Sequence, residues 1–371
     1  MLKVLHVLSS LNTTGGVQRL VWNYYNNVND NLMFDFAIFS SQLDGFEENF
    51  QKKGSKIHFV TPKRRSIIKH CKELYGVLKA ERYDIIHVHQ DYLGWPALIL
   101  AWVAGVKTRI IHTHKANLKE SFYKKIERFI FTKITCIFAT DLFACGIDAA
   151  KWTFGEKRYK QNKIYILNNA IEIQKYTFHE QIREKLRTDL GLTDKKVIGN
   201  VARFTFQKNQ HLLVEIFEEL YKKDSSYRLM LVGDGENFEE IKNMVESKGL
   251  NDVVLFLGCR DDVPELLNTM DIFVLTSRFE GLPLSLVEAQ ANGLYCVVSS
   301  NTTKEINVTG RISYVNDDNN TDEWKTLISN FISENHIMNT DVLKNCGFDI
   351  VTEANKLSEE YFKIVKNKNA K

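Results

Sequence analysis

Proline is almost missing from this chain, at 4 of 371 residues, and no stretch is a low-complexity run of glycine, serine or one charge. That scarcity excludes fibrous repeats and long disordered linkers, which need strongly biased composition. Cysteine is also sparse. Cys71, Cys136, Cys145, Cys259, Cys296 and Cys346 lie in apolar surroundings, and no two have the close spacing of a zinc or redox motif. Reduced thiols, as in a cytoplasmic protein, are the expectation. Long hydrophobic runs are absent too. The longest, about Leu93 to Val106, is interrupted by Gly94, Pro96 and Gly105 and falls short of the roughly 20 residues of a membrane span. The opening MLKVLHVLSS is too short for a signal peptide and reads as a first strand. No integral anchor is therefore expected, and any membrane association would be peripheral, at the inner face of the plasma membrane.

What is present suits a globular protein: 44% hydrophobic and 26% charged residues over a length that exceeds one ordinary core and fits two. The net charge of +3 hides an asymmetry. Residues 1–170 carry 25 Lys and Arg against 14 Asp and Glu, or +11, and residues 171–371 carry −8. Opposite signs suggest that one half meets an anionic surface; lysine-rich helices that are merely solvated are the alternative.

Short runs rich in Val, Ile and Phe alternate with helical segments. KVLHVLSS, FDFAIFSS, KIHFVT, DIIHVHQ, TRIIHTHK, CIFATDLFAC and KIYILNNA occupy the first half, and KVIGNVARF, YRLMLVGDG, VVLFLG, DIFVLTSR, LYCVVSS and ISYVND the second. This alternation predicts an α/β protein with two open parallel sheets. In QHLLVEIFEELYKK, Leu212, Leu213, Ile216, Phe217 and Leu220 form one helical stripe. The expected division is 1–170, 171–350 and a C-terminal amphipathic helix over 351–371. Ligands of such sheets bind beyond the carboxyl ends of the strands, so two facing domains would offer a cleft.

The chemistry concentrates between Arg278 and Gln290. DIFVLTSR is followed by EGLPLSLVEAQANG, which places Gly281 in a turn, Pro283 at a helix start and Glu288 one to two turns into that helix. Backbone N–H groups of Gly281, Leu282, Leu284 and Ser285, with Pro283 between them contributing none, would surround a positive helix end suited to a diphosphate. Carboxylates at Glu280 and Glu288 would accept sugar and ribose hydroxyls. A helix cap followed by a surface glutamate is the plainer reading, and in either case a buried Glu280 needs polar partners.

EGLPLSLVEAQANG resembles the donor signature of retaining glycosyltransferases of the large family-four group, whose two-domain architecture is called GT-B. The resemblance implies that Glu280 contacts hydroxyls of the donor sugar and Glu288 the ribose. VARFTFQKNQHLLVEIF is similar to the segment in which Arg203 and Lys208 would clamp the diphosphate, and fixed cations stabilise a leaving diphosphate without a metal. LVGDGE, with Gly233, resembles the turn after the next strand, and FLGCRDDVPELL a base-binding segment with Arg260. SSLNTTGGVQRL resembles the N-terminal glycine loop, where Gly15 and Gly16 let backbone approach a ligand; alone it is common turn chemistry. ILNNAIE keeps Asn169, but Ala170 stands where the family commonly has glycine.

Two pairs of histidines end strands, His87 with His89 and His112 with His114. Alternate positions point both rings of a pair to one face, which invites a metal reading. The resemblance instead implies a histidine near the bond that breaks, with His114 favoured over His112 and His89 a weaker candidate on the acceptor side. No metal and no cofactor is expected, and no Asp-x-Asp motif occurs.

The resemblance thus implies a retaining, metal-independent transfer of a hexose or N-acetylhexosamine from a UDP-sugar. In the basic half, Tyr123, Ile126, Phe129 and Ile130 interleave with Lys and Arg as in segments that lie on anionic lipid. A lipid-linked saccharide acceptor, of the kind used to build capsule, exopolysaccharide or O-antigen, is the expectation, and an ordinary amphipathic core helix the alternative. A UDP-sugar epimerase or a non-catalytic GT-B partner of a transferase complex would share the architecture. No nucleic-acid-binding module is recognised.

Overall fold

The computed structural model describes residues 1–12, 15–40, 45–115, 121–316 and 320–370. It divides into two compact units, Met1–Ala170 with Ile350–Lys371 as unit 1 and Ile171–Asp349 as unit 2. Each is built on one parallel sheet.

Unit 1 contains β1 (Leu2–Leu8), β2 (Leu32–Ile38), β3 (Ile57–Phe59), β4 (Ile85–Val88), β5 (Thr108–Thr113), β6 (Asp141–Ala144) and β7 (Ile164–Ile166), in the spatial order β3-β2-β1-β4-β5-β6-β7. Unit 2 contains β8 (Lys196–Val201), β9 (Tyr227–Val232), β10 (Val254–Gly258), β11 (Ile272–Leu275), β12 (Tyr295–Ser299) and β13 (Ile312–Val315), in the order β10-β9-β8-β11-β12-β13. Helices cover both faces of such sheets, so central strands are apolar throughout; all four residues of β4 and of β11 are buried. Strand order reverses at β1/β4 in unit 1 and at β8/β11 in unit 2. Crevices beyond the strand ends at these switch points are where such sheets take ligands.

The helix Gln210–Lys223 buries Leu213, Val214, Ile216, Phe217 and Leu220 against the unit 2 sheet. The run Cys136–Cys145, read from sequence as one strand, instead divides. Its first residues complete the helix Phe122–Phe138, Ala139 turns to extended backbone, and only Asp141–Ala144 pairs as β6. A short apolar run satisfies helix and strand periods alike, and here the helix takes the first part. The C-terminal helix Ile350–Asn369 does not stand apart. Its stripe of Ile350, Ala354, Leu357, Tyr361 and Ile364 joins the unit 1 core with Leu20, Val21 and Tyr24 of the helix Gly16–Asn27.

Helix Phe122–Phe138 is not the core helix allowed by its pattern. Tyr123 is 83% exposed, Phe129 59%, and Ile126 and Ile130 are also exposed, while its buried residues are Thr132 and Thr135. Among the described residues no helix is long and apolar enough to cross a membrane.

Candidate functional site

The loop after β8 and the loop after β11 meet at the switch point of unit 2. Asn209 adopts a left-handed conformation (φ 54°), which Asn tolerates better than most residues, and this turns the first loop into the helix Gln210–Lys223. Thr276 Oγ1 donates to the Asn209 carbonyl at 3.0 Å, the Arg278 amide donates to the Gln207 carbonyl at 2.8 Å, and the Arg278 guanidinium donates to Asn209 Oδ1 at 2.9 Å while lying 4.5 Å from the Phe206 ring centre. The loops are thus tied through backbone and side chain together.

Glu280 and Lys208 form an ion pair across this junction, with side chains 6% and 19% exposed. The Gln207 side-chain amide donates to the Phe279 carbonyl at 3.0 Å and to Glu280 Oε2 at 3.4 Å, and the Glu280 backbone amide donates to the Asn301 carbonyl at 3.2 Å. A carboxylate this buried is costly without such partners. Gln207, Asn209 and Arg278 carry much of the construction, and no motif spacing had singled out the first two.

Pro283 caps the helix Leu284–Ala291 in extended backbone (φ −72°, ψ 122°) rather than forming its first turn, and the Leu286 amide donates to its carbonyl at 3.1 Å. The first amides of a helix have no partner within it, so Leu284 and Ser285 present donors at the positive helix end. Leu282 is 7% exposed and belongs to the apolar core. Gly281 lies between it and Glu280 in the turn. Glu288, further along the helix, accepts from the Tyr176 hydroxyl at 3.0 Å; Tyr176 lies in the linking segment after β7, where sequence offered no signal.

Arg203 follows β8 and faces Glu236 at 3.4 Å, both side chains well exposed. Gly233 and Gly235 carry the adjacent turn close against the backbone: a Cβ on Gly233 (φ 133°) would lie 2.1 Å from the Ala202 carbonyl oxygen, and one on Gly235 2.3 Å from that of Phe204. Arg260, beyond β10, is held by both oxygens of Asp262 at 2.7 and 2.5 Å. Arg203, Lys208, Gly233, Arg260, Glu280 and the Gly281–Glu288 segment therefore all follow strand ends of one sheet.

Residues 182–345 match the family described as glycosyl transferases group 1, and residues 14–175 match glycosyltransferase family 4. EpsF of Bacillus subtilis (strain 168), named a putative glycosyltransferase, is 31% identical over 82% of this chain and 80% of its own length. The chain belongs to these glycosyltransferases. An Escherichia coli relative of this glycosyltransferase, UDP-Gal:alpha-D-GlcNAc-diphosphoundecaprenol alpha-1,3-galactosyltransferase, is 29% identical over 82% of each chain. The Staphylococcus aureus capsular polysaccharide biosynthesis glycosyltransferase CapH is 26% identical over 82% of each. Among solved structures, Anabaena HepE in complex with UDP and glucose matches with a TM-score of 0.76, 20% identity, and coverage of 97% of this chain and 99% of that one. With these neighbours the two Rossmann-like units are those of the GT-B fold.

Unit 1 of the glycosyltransferase places Gly15 at the start of the helix Gly16–Asn27. A Cβ on Gly15 would press on the flexible Gln18 side chain, and one on Gly16 would meet open space. Thr13 and Thr14 of the same loop lie outside the described residues. His114 follows β5. Its amide donates to Asp91 Oδ1 at 2.8 Å, and Asp91 also accepts from Thr113 Oγ1 at 3.1 Å. The structure brings not two pairs of histidines together but five rings, adding His6 from β1 to His87, His89, His112 and His114. Ring nitrogens of His6, His87 and His89, and of His89, His112 and His114, lie within 4.8 Å of one another. Burial lowers the pKa of all five, that of His6 to about 3 and that of His114 to about 4.

Proposed function

We propose that the chain transfers a hexose or N-acetylhexosamine from a UDP-sugar, with retention, to a lipid-linked saccharide acceptor in cell-surface polysaccharide synthesis. The observation that carries this reading is the ion pair of the buried Glu280 with the partly buried Lys208 at the switch point of unit 2. It puts a cation for phosphate beside a carboxylate for sugar hydroxyls, next to the amide donors of Leu284 and Ser285. Arg203 and Lys208 hold the diphosphate, Glu280 orients the sugar, Glu288 with Tyr176 binds the ribose, and Gly233 and Arg260 flank the nucleotide. The E. coli relative is named for a UDP-galactose donor and a diphosphoundecaprenol-linked acceptor, and CapH for capsular polysaccharide, which supports the choice of donor and acceptor class.

In the reaction the bond between the anomeric carbon and the β-phosphate oxygen breaks, and the acceptor hydroxyl oxygen bonds to the same face of that carbon. The acceptor proton passes to the departing phosphate. Fixed cations and helix amides stabilise the charge gathering on that phosphate in place of a metal. No enzyme nucleophile takes part; Glu280 is already engaged by Lys208 and Gln207.

Acceptor binding falls to unit 1, with His114 as its contribution to the reacting groups. The exposed Phe122, Tyr123, Ile126, Phe129 and Ile130 alternate with Lys124, Lys125, Arg128 and Lys133, a composition suited to the anionic inner face of a plasma membrane, where a lipid-linked acceptor resides. The test is a panel of UDP- and GDP-sugars followed for nucleotide release with and without membrane lipid extract. Release from one UDP-sugar, accelerated by lipid, is the expected result. Saturable UDP binding with no turnover of any donor would favour a non-catalytic GT-B partner, and interconversion of UDP-sugars without acceptor an epimerase.

A further inference from the structure

The histidine cluster of unit 1 has an internal order that bears on His114. His6 Nδ1 lies 2.9 Å from His89 Nε2, and His89 Nδ1 lies 3.0 Å from His114 Nε2. A second series runs from the Tyr361 hydroxyl to His87 Nδ1, at 2.5 Å, and from His87 Nε2 to His112 Nδ1, at 3.2 Å. A metal would need these same nitrogens. Two ligands on a tetrahedral ion with bonds of about 2.0–2.1 Å stand about 3.3 Å apart, and both contacts to His89 are shorter, at the separation of N–H···N hydrogen bonds.

A neutral imidazole has one N–H and one lone pair. A series of neutral rings is therefore directional: once one proton is placed, every other is placed. Burial keeps these rings neutral at neutral pH. The direction is decided at the inner end. His6 Nε2 is buried and has no partner among the described residues, and a stranded buried N–H is rarer in proteins than an unfilled acceptor. The proton of His6 thus sits on Nδ1 and is donated to His89 Nε2. His89 then donates from Nδ1 to His114 Nε2, and the proton of His114 is left on Nδ1. That nitrogen has no hydrogen-bond partner among the described residues, while the His114 backbone is fixed by Asp91, itself held in a left-handed conformation (φ 50°) and facing Lys115 at 3.6 Å.

We propose that His89, backed by His6, is a positioning residue that holds His114 as the Nδ1–H tautomer, so that His114 meets substrate as a hydrogen-bond donor and not as a base. This rests on the reading of His114 as a site residue and deepens it. A donor suits a sugar or phosphate oxygen, and a base is not required where the departing phosphate takes the acceptor proton.

Long-range proton–nitrogen correlation spectra of 15N-histidine-labelled full-length protein read the tautomer directly. His114 should carry its proton on Nδ1 between pH 6 and 8. His89→Leu should give a mixture of tautomers at His114 and lower kcat about tenfold with little change in donor KM, the size of loss expected when an orienting partner is removed. His89→Asn, whose side-chain amide can donate from near the position of Nδ1, should restore most of both. An Nε2–H tautomer at His114 in the unmodified protein overturns the proposal, as does an unchanged His114 signal in His89→Leu, or one equivalent of Zn2+ shifting all five rings together. Full turnover in His114→Ala would remove His114 from the transfer step, while the labelled spectrum still decides the tautomer; thermal unfolding and UDP binding of each variant show whether it is folded.

Discussion

The two units make their switch points polar by opposite means. Unit 2 uses charge: Lys208 with Glu280 and Arg203 with Glu236 stand at the strand ends in ion pairs. Unit 1 uses neutral rings that bond to one another beneath the strand ends, with Asp91 and Lys115 as the charges at the rim. The difference runs against bulk charge. The ion-paired strand-end loops proposed to take a diphosphate belong to the half with net −8, while the half with net +11 carries the neutral cluster. Local placement of a few side chains in a partly buried site outweighs the summed charge of a surface, because exposed charges are screened over about 8–10 Å and buried ones much less.

Four experiments test that contrast. The largest effect is expected at Glu280. Glu280→Ala should lower turnover about 1000-fold, comparable to loss of a main electrostatic contact to the reacting group, with UDP binding retained; steady-state rates with the preferred UDP-sugar check this. Near-normal turnover in Glu280→Gln would show that the charge of unit 2 is structural.

Next comes its partner. Lys208→Ala leaves a buried carboxylate without its cation and should cost about 3 kcal/mol in denaturant unfolding of unit 2. The double variant Lys208→Ala with Glu280→Ala should recover much of that stability but none of the turnover. If the single and double variants unfold alike, the pair contributes little to the fold.

Acid should act on unit 1 through its neutral rings. Their folded pKa values lie below the unfolded value of about 6.5, with His114 at about 4 and His6 at about 3. Above pH 6.5 neither state binds these protons and the histidines add no pH dependence. As pH falls toward 4 the unfolded chain is protonated first, so stability declines by about 1.4 kcal/mol per pH unit for each ring kept neutral. Unfolding followed at His6, His87 or Tyr361 between pH 7 and 5 measures the slope, and His6→Phe should reduce it by one ring's share.

The smallest change is expected on the surface. Tyr123→Asp with Phe129→Asp should weaken flotation with anionic vesicles while shifting the midpoint of unfolding little, because both side chains are exposed. Binding that ignores salt and these substitutions would remove the membrane role from this helix.

The strand–helix alternation made both sheets legible in the sequence, and EGLPLSLVEAQANG pointed to the loop and helix that follow β11. What stayed hidden has physical reasons. Gln207, through its side-chain amide to Phe279 and Glu280, and Tyr176, through its hydroxyl to Glu288, act by contacts that leave no pattern in spacing. Pro283 is compatible with a cap or a first turn, and only its ψ separates the two. The exposed side of Phe122–Phe138 admitted both a lipid-facing and a core reading, because periodicity records that apolar residues share a face, not what covers it. The histidine pairs on β4 and β5 were visible, but His6 joins them only because β1 lies beside β4, and strand order is not written in local sequence.

The chain enters unit 2 after Ala170 and returns to unit 1 at Ile350. In assembly this reverses the order in which the units are made. All of unit 2 can leave the ribosome and fold while unit 1, begun first, still lacks the helix that carries Tyr361 to His87 and Leu357 to its core. Domains fold as units during synthesis, so the part of the protein that starts first finishes last. A chain stopped at Asp349 would then keep unit 2 whole while unit 1 lacks the helix that closes its core.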